Sequence, residues 1–312
     1  MKSLHQFVSE KLKISNTETR TPQHNPKDYD SLFALIRDRY NENKEFMDCT
    51  DIDVSEITQM NDMFSSLTHL KSIDITGWDT SNVTDMVHMF SYLPDLEEII
   101  GLEELDVSSV TNMNSMFENC KSIETIDISG WDTSNVQSMS HMFEFCYKLK
   151  SINGIEDIDT SSVKFGNCMF RRCFTLEQLD LHKWKVDTFE KMNNMFALCG
   201  ELNTLNLSGW KIFATNLLGI FDSCGKLKDL DLTGWDMEHV DNCSKMFRQC
   251  ESLEHITGDI ENWNMQNVDD ISYMFEFTPK LKLDLSNWSI KKNVNKNYAF
   301  FGASRIKKPK KS

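Results

Sequence analysis

The sequence predicts an α/β repeat solenoid of nine to ten coils, each about 26 residues long. A Met-Phe pair recurs along the chain at nearly constant spacing, as from Phe64 to Phe90 and from Phe90 to Phe117. Other residue types keep fixed distances from that pair. Each repeat is also too short to bury its own apolar residues, so neighbouring repeats must stack to form a core. The pairs are Met63-Phe64, Met89-Phe90, Met116-Phe117, Met142-Phe143, Met169-Phe170, Met195-Phe196, Met246-Phe247 and Met274-Phe275, with Ile220-Phe221 in the same place once.

Fixed positions around the Met-Phe pair define the repeat unit. In most repeats an apolar residue stands four residues before the phenylalanine, and cysteine or leucine stands three after it. Leucine or isoleucine follows at six residues after it, and five repeats carry tryptophan at fourteen. The unit therefore reads roughly N-V-x-x-M-x-x-M-F-x-x-C-x-x-L-x-x-L-D-L-S-G-W-D-T-S.

Two periods inside the unit predict its local structure. The run M-x-x-M-F-x-x-C has the i, i+3, i+4, i+7 spacing of a short amphipathic helix or a helical turn. The run from Leu70 to Thr76 alternates apolar and polar residues, as a short strand does, and Gly77 turns the chain after it. We therefore expect short parallel strands on one face of the solenoid and short helices on the other.

The first half of the repeat region has a longer period of 53 residues. Coils that begin at Met63 and Met116 carry Trp78 and Trp131, whereas the coils that begin at Met89 and Met142 carry short insertions instead. This alternation predicts duplication of a two-coil block. The insertions are Gly101-Leu102-Glu103 and Gly154-Ile155-Glu156.

Five segments are predicted along the chain. Terminal repeats need a cap that shields the exposed core, and an apolar face with Leu32 and Ile36 makes a helix the natural N-terminal cap. The segments are a short amphipathic segment at 1–15, a linker at 16–29, the capping helix at 30–49, the solenoid at 50–293, and a C-terminal cap with a basic tail at 294–312.

Composition narrows the function classes. The chain carries 48 acidic and 33 basic residues, a net charge of -15, so its body should repel nucleic acids and anionic membranes. Its nine cysteines are odd in number and form no C-x-x-C pair, which predicts reduced thiols in a reducing compartment. No stretch is long and apolar enough to predict a membrane span. The segment at 1–15 lacks the apolar run of a secretory signal, and we expect the cytoplasm of a bacterial host.

The repeat motif resembles a known family. WDTSNVTDMVHMF at 78–90 and WDTSNVQSMSHMF at 131–143 resemble the BspA-like leucine-rich-repeat surface proteins over about residues 50–300. The stretch at 25–60 resembles their helical lead-in, and versions with this lead-in and no secretory signal are frequent in bacteriophage and gut-bacterial proteins. The resemblance implies a leucine-rich-repeat-like fold, a role in adhesion or protein binding, and association with a virion as one location. It implies no catalytic residues.

The outward positions of the predicted strands are the candidate partner-binding residues. Stacked carboxylates about 5 Å apart repel one another unless something compensates. Neighbouring backbone N–H groups, a basic protein partner and calcium remain open as the compensating group. The residues are Asp74, Thr76, Asp127, Ser129, Asp180, His182, Asn206, Ser208, Asp231, Thr233, Asp284 and Ser286.

These features favour a non-catalytic protein-interaction or adhesion module. The alternative is a glycan-binding surface protein that uses the tryptophan column and the polar strand face. The cysteines that stand three residues after the phenylalanine form a cysteine column, and we interpret them as small core residues because Leu67 and Leu93 fill the same position elsewhere. They are Cys120, Cys146, Cys173, Cys199, Cys224 and Cys250. No motif of a catalytic triad, a phosphate-binding loop or a metalloprotease is found. No catalytic residue, cofactor or metal is predicted, and the oligomeric state stays open.

Overall fold

The computed structural model describes residues 22–310. Helix α1 spans Tyr29–Glu42 near the start of this part. Two short 3-10 helices span Leu102–Glu104 and Ile260–Asn262. Nine three-residue strands occur in residues 22–310, and they are β1 Phe46–Asp48, β2 Ser72–Asp74, β3 Glu98–Ile100, β4 Thr125–Asp127, β5 Ser151–Asn153, β6 Gln178–Asp180, β7 Thr204–Asn206, β8 Asp229–Asp231 and β9 His255–Thr257.

The strands stack in parallel, one repeat apart. Met47 pairs with Ile73, and Ile126 pairs with Ile152, so each pairing joins residues 26 positions apart. The hydrogen-bonded groups are β1-β2-β3, β4-β5, β6-β7 and β8-β9. This confirms the predicted leucine-rich-repeat-like solenoid, in which each repeat makes one turn of the backbone. We call the side formed by β1 to β9 the strand side.

A second backbone ladder runs half a repeat away from the strands, through the segments that contain the Met-Phe pairs. We call this the turn side. Its parallel bridges join one residue from each coil to the next without interruption. The bridged residues are Gln59, Asp85, Asn112, Ser138, Phe165, Lys191, Asn216, Asn242, Asp270 and Asn295.

Tight turns replace the helices predicted for the turn side. In the first coil, the N–H groups of Met63, Ser65 and Leu67 each donate to the carbonyl oxygen three residues earlier. The N–H groups between them donate to the next coil, as Phe64 does to the carbonyl of Met89 at 2.9 Å. Consecutive turns thus give the same apolar spacing that the sequence pattern attributes to a helix.

Coil spacing explains why tight turns form on the turn side in place of short helices. Paired strands lie about 4.8 Å apart, whereas packed helices need about 8–10 Å between their axes. Because backbone hydrogen bonds join successive coils on both sides, one helix per coil does not fit. The turns require left-handed backbone, with φ of 57° at Asp62 and 64° at Ser66 in the first coil.

The phenylalanines of the Met-Phe pairs form a continuous buried stack. Neighbouring ring centroids lie 5.2–5.9 Å apart along the nine rings from Phe64 to Phe275. Stacked aromatic pairs contribute about 0.5–1.5 kcal/mol each beyond their area burial. The methionines, leucines and cysteines of the repeat pack around the rings as one core. No coil could bury this surface alone.

The N-terminal helix lies against the first coil. Asp28 caps α1, accepting a hydrogen bond from the backbone N–H of Ser31 at 2.9 Å. Leu32 and Ile36 are fully buried, and the hydroxyl of Tyr29 donates to a carbonyl of the first coil at 3.0 Å. The helix therefore covers one end of the core.

The coils extend beyond both ends of the range expected for the solenoid. Strand β1 begins at Phe46, before residue 50, and a bridge joins Asp284 to Lys307. The predicted segment at 1–15 and residues 16–21 of the predicted linker lie outside the described residues, as do 311–312.

Candidate functional site

The candidate partner-binding residues form a series of local turns on the strand side. In every pair, the side-chain oxygen of the first residue accepts a hydrogen bond from the backbone N–H of the second. Of the compensating groups left open by the sequence, local backbone donors are present at all six positions. The N···O distances are 3.1 Å for Asp74–Thr76, 3.0 Å for Asp127–Ser129, 3.3 Å for Asp180–His182, 3.2 Å for Asn206–Ser208, 2.9 Å for Asp231–Thr233 and 3.0 Å for Asp284–Ser286.

Side chains of adjacent coils also relieve the repulsion between these acids. Asn153 donates to Asp127 at 3.0 Å, and Asn206 donates to Asp180 at 2.9 Å. Partial burial opposes ionisation of Asp127, but hydrogen bonds from Ser129 and Asn153 outweigh it and hold the pKa of its carboxyl below the usual value. Amides alternate with carboxylates in this part of the column, so these two acids have a compensating donor within the protein.

One of the twelve candidate residues is not open to a partner. Asp74 is buried, contrary to the prediction that it faces outward. Gly101, in the insertion of the next coil, lies so close to Thr76 that a Cβ atom on Gly101 would come within 2.7 Å of the Thr76 backbone. The other five pairs are half-buried or exposed.

The tryptophan column is part of the core. All seven tryptophans are buried, with exposed fractions of 0–6%. Five of them donate the indole N–H to a carbonyl of an earlier coil, as Trp210 does to Leu181 at 2.9 Å. The indole N–H groups of Trp235 and Trp263 are buried without an acceptor. The glycan alternative therefore loses the aromatic surface on which it depended.

The cysteines are unpaired and buried, as the core interpretation expects. Those of the cysteine column also have a polar role, since each thiol donates to the carbonyl of the stacked phenylalanine in the preceding coil. Cys120 contacts Phe90 in this way at 3.0 Å, and all six such distances are 3.0–3.2 Å. Burial raises the pKa of Cys120 and Cys199 to about 12, so both stay protonated at neutral pH.

A partly exposed cluster on coils three to five combines aromatic rings and cations. We call Lys121, Phe145, Tyr147, Arg172 and Phe174 the aromatic–basic patch. Tyr147 stacks on Phe174 with ring centroids 4.9 Å apart, and Phe145 lies edge-on to Tyr147 at 6.2 Å. The Lys121 ammonium lies 5.6 Å from the Tyr147 ring, and the Arg172 guanidinium 5.2 Å from the Phe145 ring. The sequence pattern does not mark these residues as a group, because they come from three different coils.

Three potential metal ligands meet beside this patch. One donor atom each from His141, Glu144 and Cys168 lie within 4.8 Å of one another. Hydrogen bonds with the Cys168 thiol and the Glu144 carboxylate raise the pKa of His141 to about 10. Burial opposes ionisation of Glu144, but hydrogen bonds from His141 and Arg171 keep its pKa below the usual value. The spacing of the three residues along the chain matches no metal-binding motif. When the coils are aligned, Cys168 stands one repeat after His141, at the same repeat position.

A shallow groove of about 390 Å³ lies beside β9, near the C-terminal end of the solenoid. Acidic and basic side chains both line it, including Glu254, Glu261, Lys280 and Arg305. In residues 22–310 no helix has the length and apolar character needed to cross a membrane.

Comparisons with known proteins agree with a repeat architecture. The family described as "Mycoplasma protein of unknown function, DUF285" matches residues 34–151, 124–221, 147–258 and 215–312. No curated protein matches the sequence. The overlapping matches together cover residues 34–312, which include the whole repeat region.

Solved structures similar to this chain include two bacterial proteins. A leucine-rich repeat protein from Eubacterium ventriosum is 15% identical, with a TM-score of 0.35, over 92% of this chain and 89% of that one. A leucine rich cell surface protein from Faecalibacterium prausnitzii is 17% identical, with a TM-score of 0.31, over 76% of this chain and 78% of that one.

Proposed function

The chain belongs to the DUF285 family, described as Mycoplasma proteins of unknown function, and we propose that it is a non-catalytic module that binds another protein through the outside of its solenoid. The aromatic–basic patch is the observation that carries this proposal. Protein interfaces are enriched in tyrosine, phenylalanine and arginine, and such residues dominate binding energy when a partner excludes water from them. Phe174 is 40% exposed although neighbouring rings hold it in place.

The charge of the patch indicates what the partner offers. Lys121 and Arg172 flank the rings in a chain whose net charge is -15, so the patch is a cationic area on an acidic body. The Nε atom of Arg172 is buried without a hydrogen-bond acceptor. A partner with an acidic side chain beside an apolar or aromatic one would match the patch in charge and shape.

The strand side is the second candidate surface. Its exposed and half-buried acids would suit a basic partner, and Asp180, Asp231 and Asp284 keep exposed or half-buried positions there. Their carboxylates already accept hydrogen bonds from backbone N–H groups of this chain. A basic partner would therefore contact carboxylates whose hydrogen-bonding needs are already partly met. This supports weaker, salt-sensitive binding on the strand side than on the patch.

Binding assays with matched variants test which surface is used. The chain is immobilised, and captured proteins from a bacterial lysate are quantified for the wild type and three variants. Tyr147→Ser with Phe174→Ser removes the patch, and Asp180→Asn with Asp231→Asn removes strand-side charge. Phe213→Ser is the control, because Phe213 is 52% exposed and stacks on His239, away from both candidate surfaces.

A specific protein that the patch variant loses, and that the other two variants retain, would support the proposal. Loss only in the strand-side variant would move the site to the second surface. Capture that is equal for all four proteins, or absent from all, would overturn the proposal.

Location in a phage particle or at a bacterial surface is the finer form of this proposal. It depends on the resemblance of W-D-T-S-N-V-x-x-M-x-x-M-F to BspA-like proteins. Nine unpaired, buried cysteines support folding in a reducing cytoplasm before any assembly. Peptides of this chain in the proteome of purified virions would support the particle location. Their absence from virions purified from cells that produce the protein would contradict it.

A further inference from the structure

The cluster of His141, Glu144 and Cys168 lies on the turn side, where two adjacent coils meet. His141 stands directly before the Met-Phe pair of its coil, and Glu144 directly follows that pair. The backbone N–H of His141 donates to Asn167 of the next coil at 2.8 Å, which fixes the register of the two coils. Cys168 is the residue of that next coil which stands in the same repeat position as His141. The backbone ladder therefore holds all three side chains in place.

The three donor atoms match the ligands that zinc accepts. Zinc in proteins binds thiolate sulfur, imidazole nitrogen and carboxylate oxygen, with metal–ligand distances of about 2.0–2.3 Å. Ligand atoms around a tetrahedral ion then lie about 3.3–3.8 Å apart. The donor atoms here lie within 4.8 Å of one another, so adjustments of about an ångström bring them to bonding positions.

Burial and access also suit an ion. The side chains of Glu144 and Cys168 are nearly buried, whereas 42% of the His141 side chain remains exposed and leaves a route from solvent. Arg171 donates to Oε1 of Glu144 at 2.6 Å and so orients the carboxylate. Oε2, the other oxygen, faces the His141 ring.

The preceding two-coil block provides an internal comparison. Fifty-three residues earlier, the equivalents of His141, Glu144 and Cys168 are His88, Ser91 and Ser115. The equivalent positions therefore carry neither the carboxylate nor the thiol, and Glu118, which stands where Arg171 does in the later block, lies 4.0 Å from Nδ1 of His88. Nδ1 of His88 is buried there without a hydrogen-bond partner.

We propose that His141, Glu144 and Cys168 bind one zinc ion through imidazole nitrogen, carboxylate oxygen and thiolate sulfur. Three protein ligands leave one position of a tetrahedral ion for water. On binding, the Cys168 thiol and the His141 imidazolium each release a proton to solvent, and Arg171 keeps its hydrogen bond to Glu144. The ion would join two coils of the solenoid and stabilise them against separation.

Cobalt titration of the full chain tests the site. The protein is stripped with a chelator under reducing conditions, and Co²⁺ is then added as a spectroscopic substitute for zinc. We expect one equivalent to bind, with the sulfur-to-cobalt charge-transfer absorption of a thiolate ligand and the intense visible bands of tetrahedral cobalt. One equivalent of Zn²⁺ should remove both signals.

The repeats supply substitutions that the fold already accepts. Cys168→Ser and Glu144→Ser place the residues of the preceding block at equivalent positions, and circular dichroism checks that both variants fold. Cys168→Ser should abolish the charge-transfer absorption, and Glu144→Ser should weaken binding. Cys173→Ala is the matched control, because Cys173 is a buried cysteine of the cysteine column and should leave the absorption unchanged.

A gain of binding makes the test two-sided. Ser91→Glu combined with Ser115→Cys rebuilds the three ligands around His88 and should add a second equivalent of cobalt with sulfur charge transfer. Wild-type protein without that absorption, or Cys168→Ser with undiminished absorption, would overturn the proposal. In that event the cluster is an ion-pair network of His141, Glu144 and Arg171 only.

Discussion

The strand side and the turn side of the solenoid share one repeat period, but they hold their coils together differently. On the strand side the pairing is confined to three-residue strands in four separate groups. On the turn side one ladder from Gln59 to Asn295 continues without a break, above an unbroken stack of phenylalanine rings. The difference indicates that the turn side carries most of the coil-to-coil cohesion, which leaves the outward residues of the strand side free to vary.

The largest expected contrast concerns the aromatic stack. Phe143→Ala leaves a cavity between two rings that lie 5.6 Å away on either side, and should reduce the free energy of unfolding by about 3–5 kcal/mol. Gln178→Ala on the exposed strand side should change it by less than about 0.5 kcal/mol. Urea unfolding followed by circular dichroism measures both. Equal losses of unfolding free energy for the two variants would contradict the inference that the turn side carries most of the cohesion between coils.

Alkaline pH should act through the turn side. Burial raises the pKa of Cys199 to about 12 from a usual value of 9.0, so above pH 9 the unfolded chain loses a proton that the folded chain keeps. The stabilisation is complete below pH 9 and is lost as the pH rises toward 12. Between pH 8 and pH 10 each such thiol should reduce the free energy of unfolding by about 1.4 kcal/mol.

The control for this pH effect is Cys199→Ala. Between pH 8 and pH 10, the free energy of unfolding of this variant should fall by less than that of the wild type, whatever the stability of the variant at pH 8. Because the wild type and the variant share every other titratable group, the difference between their losses of stability isolates the Cys199 thiol. An equal fall in the free energy of unfolding for both proteins would mean that burial does not keep Cys199 protonated.

Valine and glycine substitutions should have opposite orders of stability on the two sides, because the backbone conformation differs. Ser66 has a φ of 64°, where valine is strained and glycine is relaxed, so Ser66→Val should be about 1–2 kcal/mol less stable than Ser66→Gly. At Gln178, in an extended strand, the glycine variant should instead be the less stable by about 0.5–1 kcal/mol. Thermal unfolding of the four variants measures the sign. The same sign at both positions would contradict the left-handed turn.

The smallest expected effect concerns the acidic column of the strand side. Asn153→Asp places a second carboxylate beside Asp127, in place of the amide that donates to it at 3.0 Å. The change should cost about 0.2–1 kcal/mol at low salt and less at high salt, because the site is exposed. Unfolding at two salt concentrations measures it, and Asn153→Ala is the control without added charge. A gain in stability on addition of calcium alone would indicate that the acids bind this ion.

The sequence by itself determined the repeat length, the positions of the strands and the residues of the core. Periodic spacing carries this information directly, since residues such as Phe117 and Trp131 must face inward in every coil if stacking is the only way to bury them. It also predicted the helix that covers the first coil, because an apolar face with Leu32 and Ile36 needs a surface to pack on.

Only the tertiary structure decided how the turn side is built and which side chains of different coils meet. A helix and a series of tight turns give the same apolar spacing, and only the carbonyl groups of the next coil, one strand spacing away, favour the turns. The meeting of His141 with Cys168 depends likewise on the register between coils, which the hydrogen bond from His141 to Asn167 fixes. Residues 27 positions apart become neighbours through that register, and no local pattern in the chain encodes it.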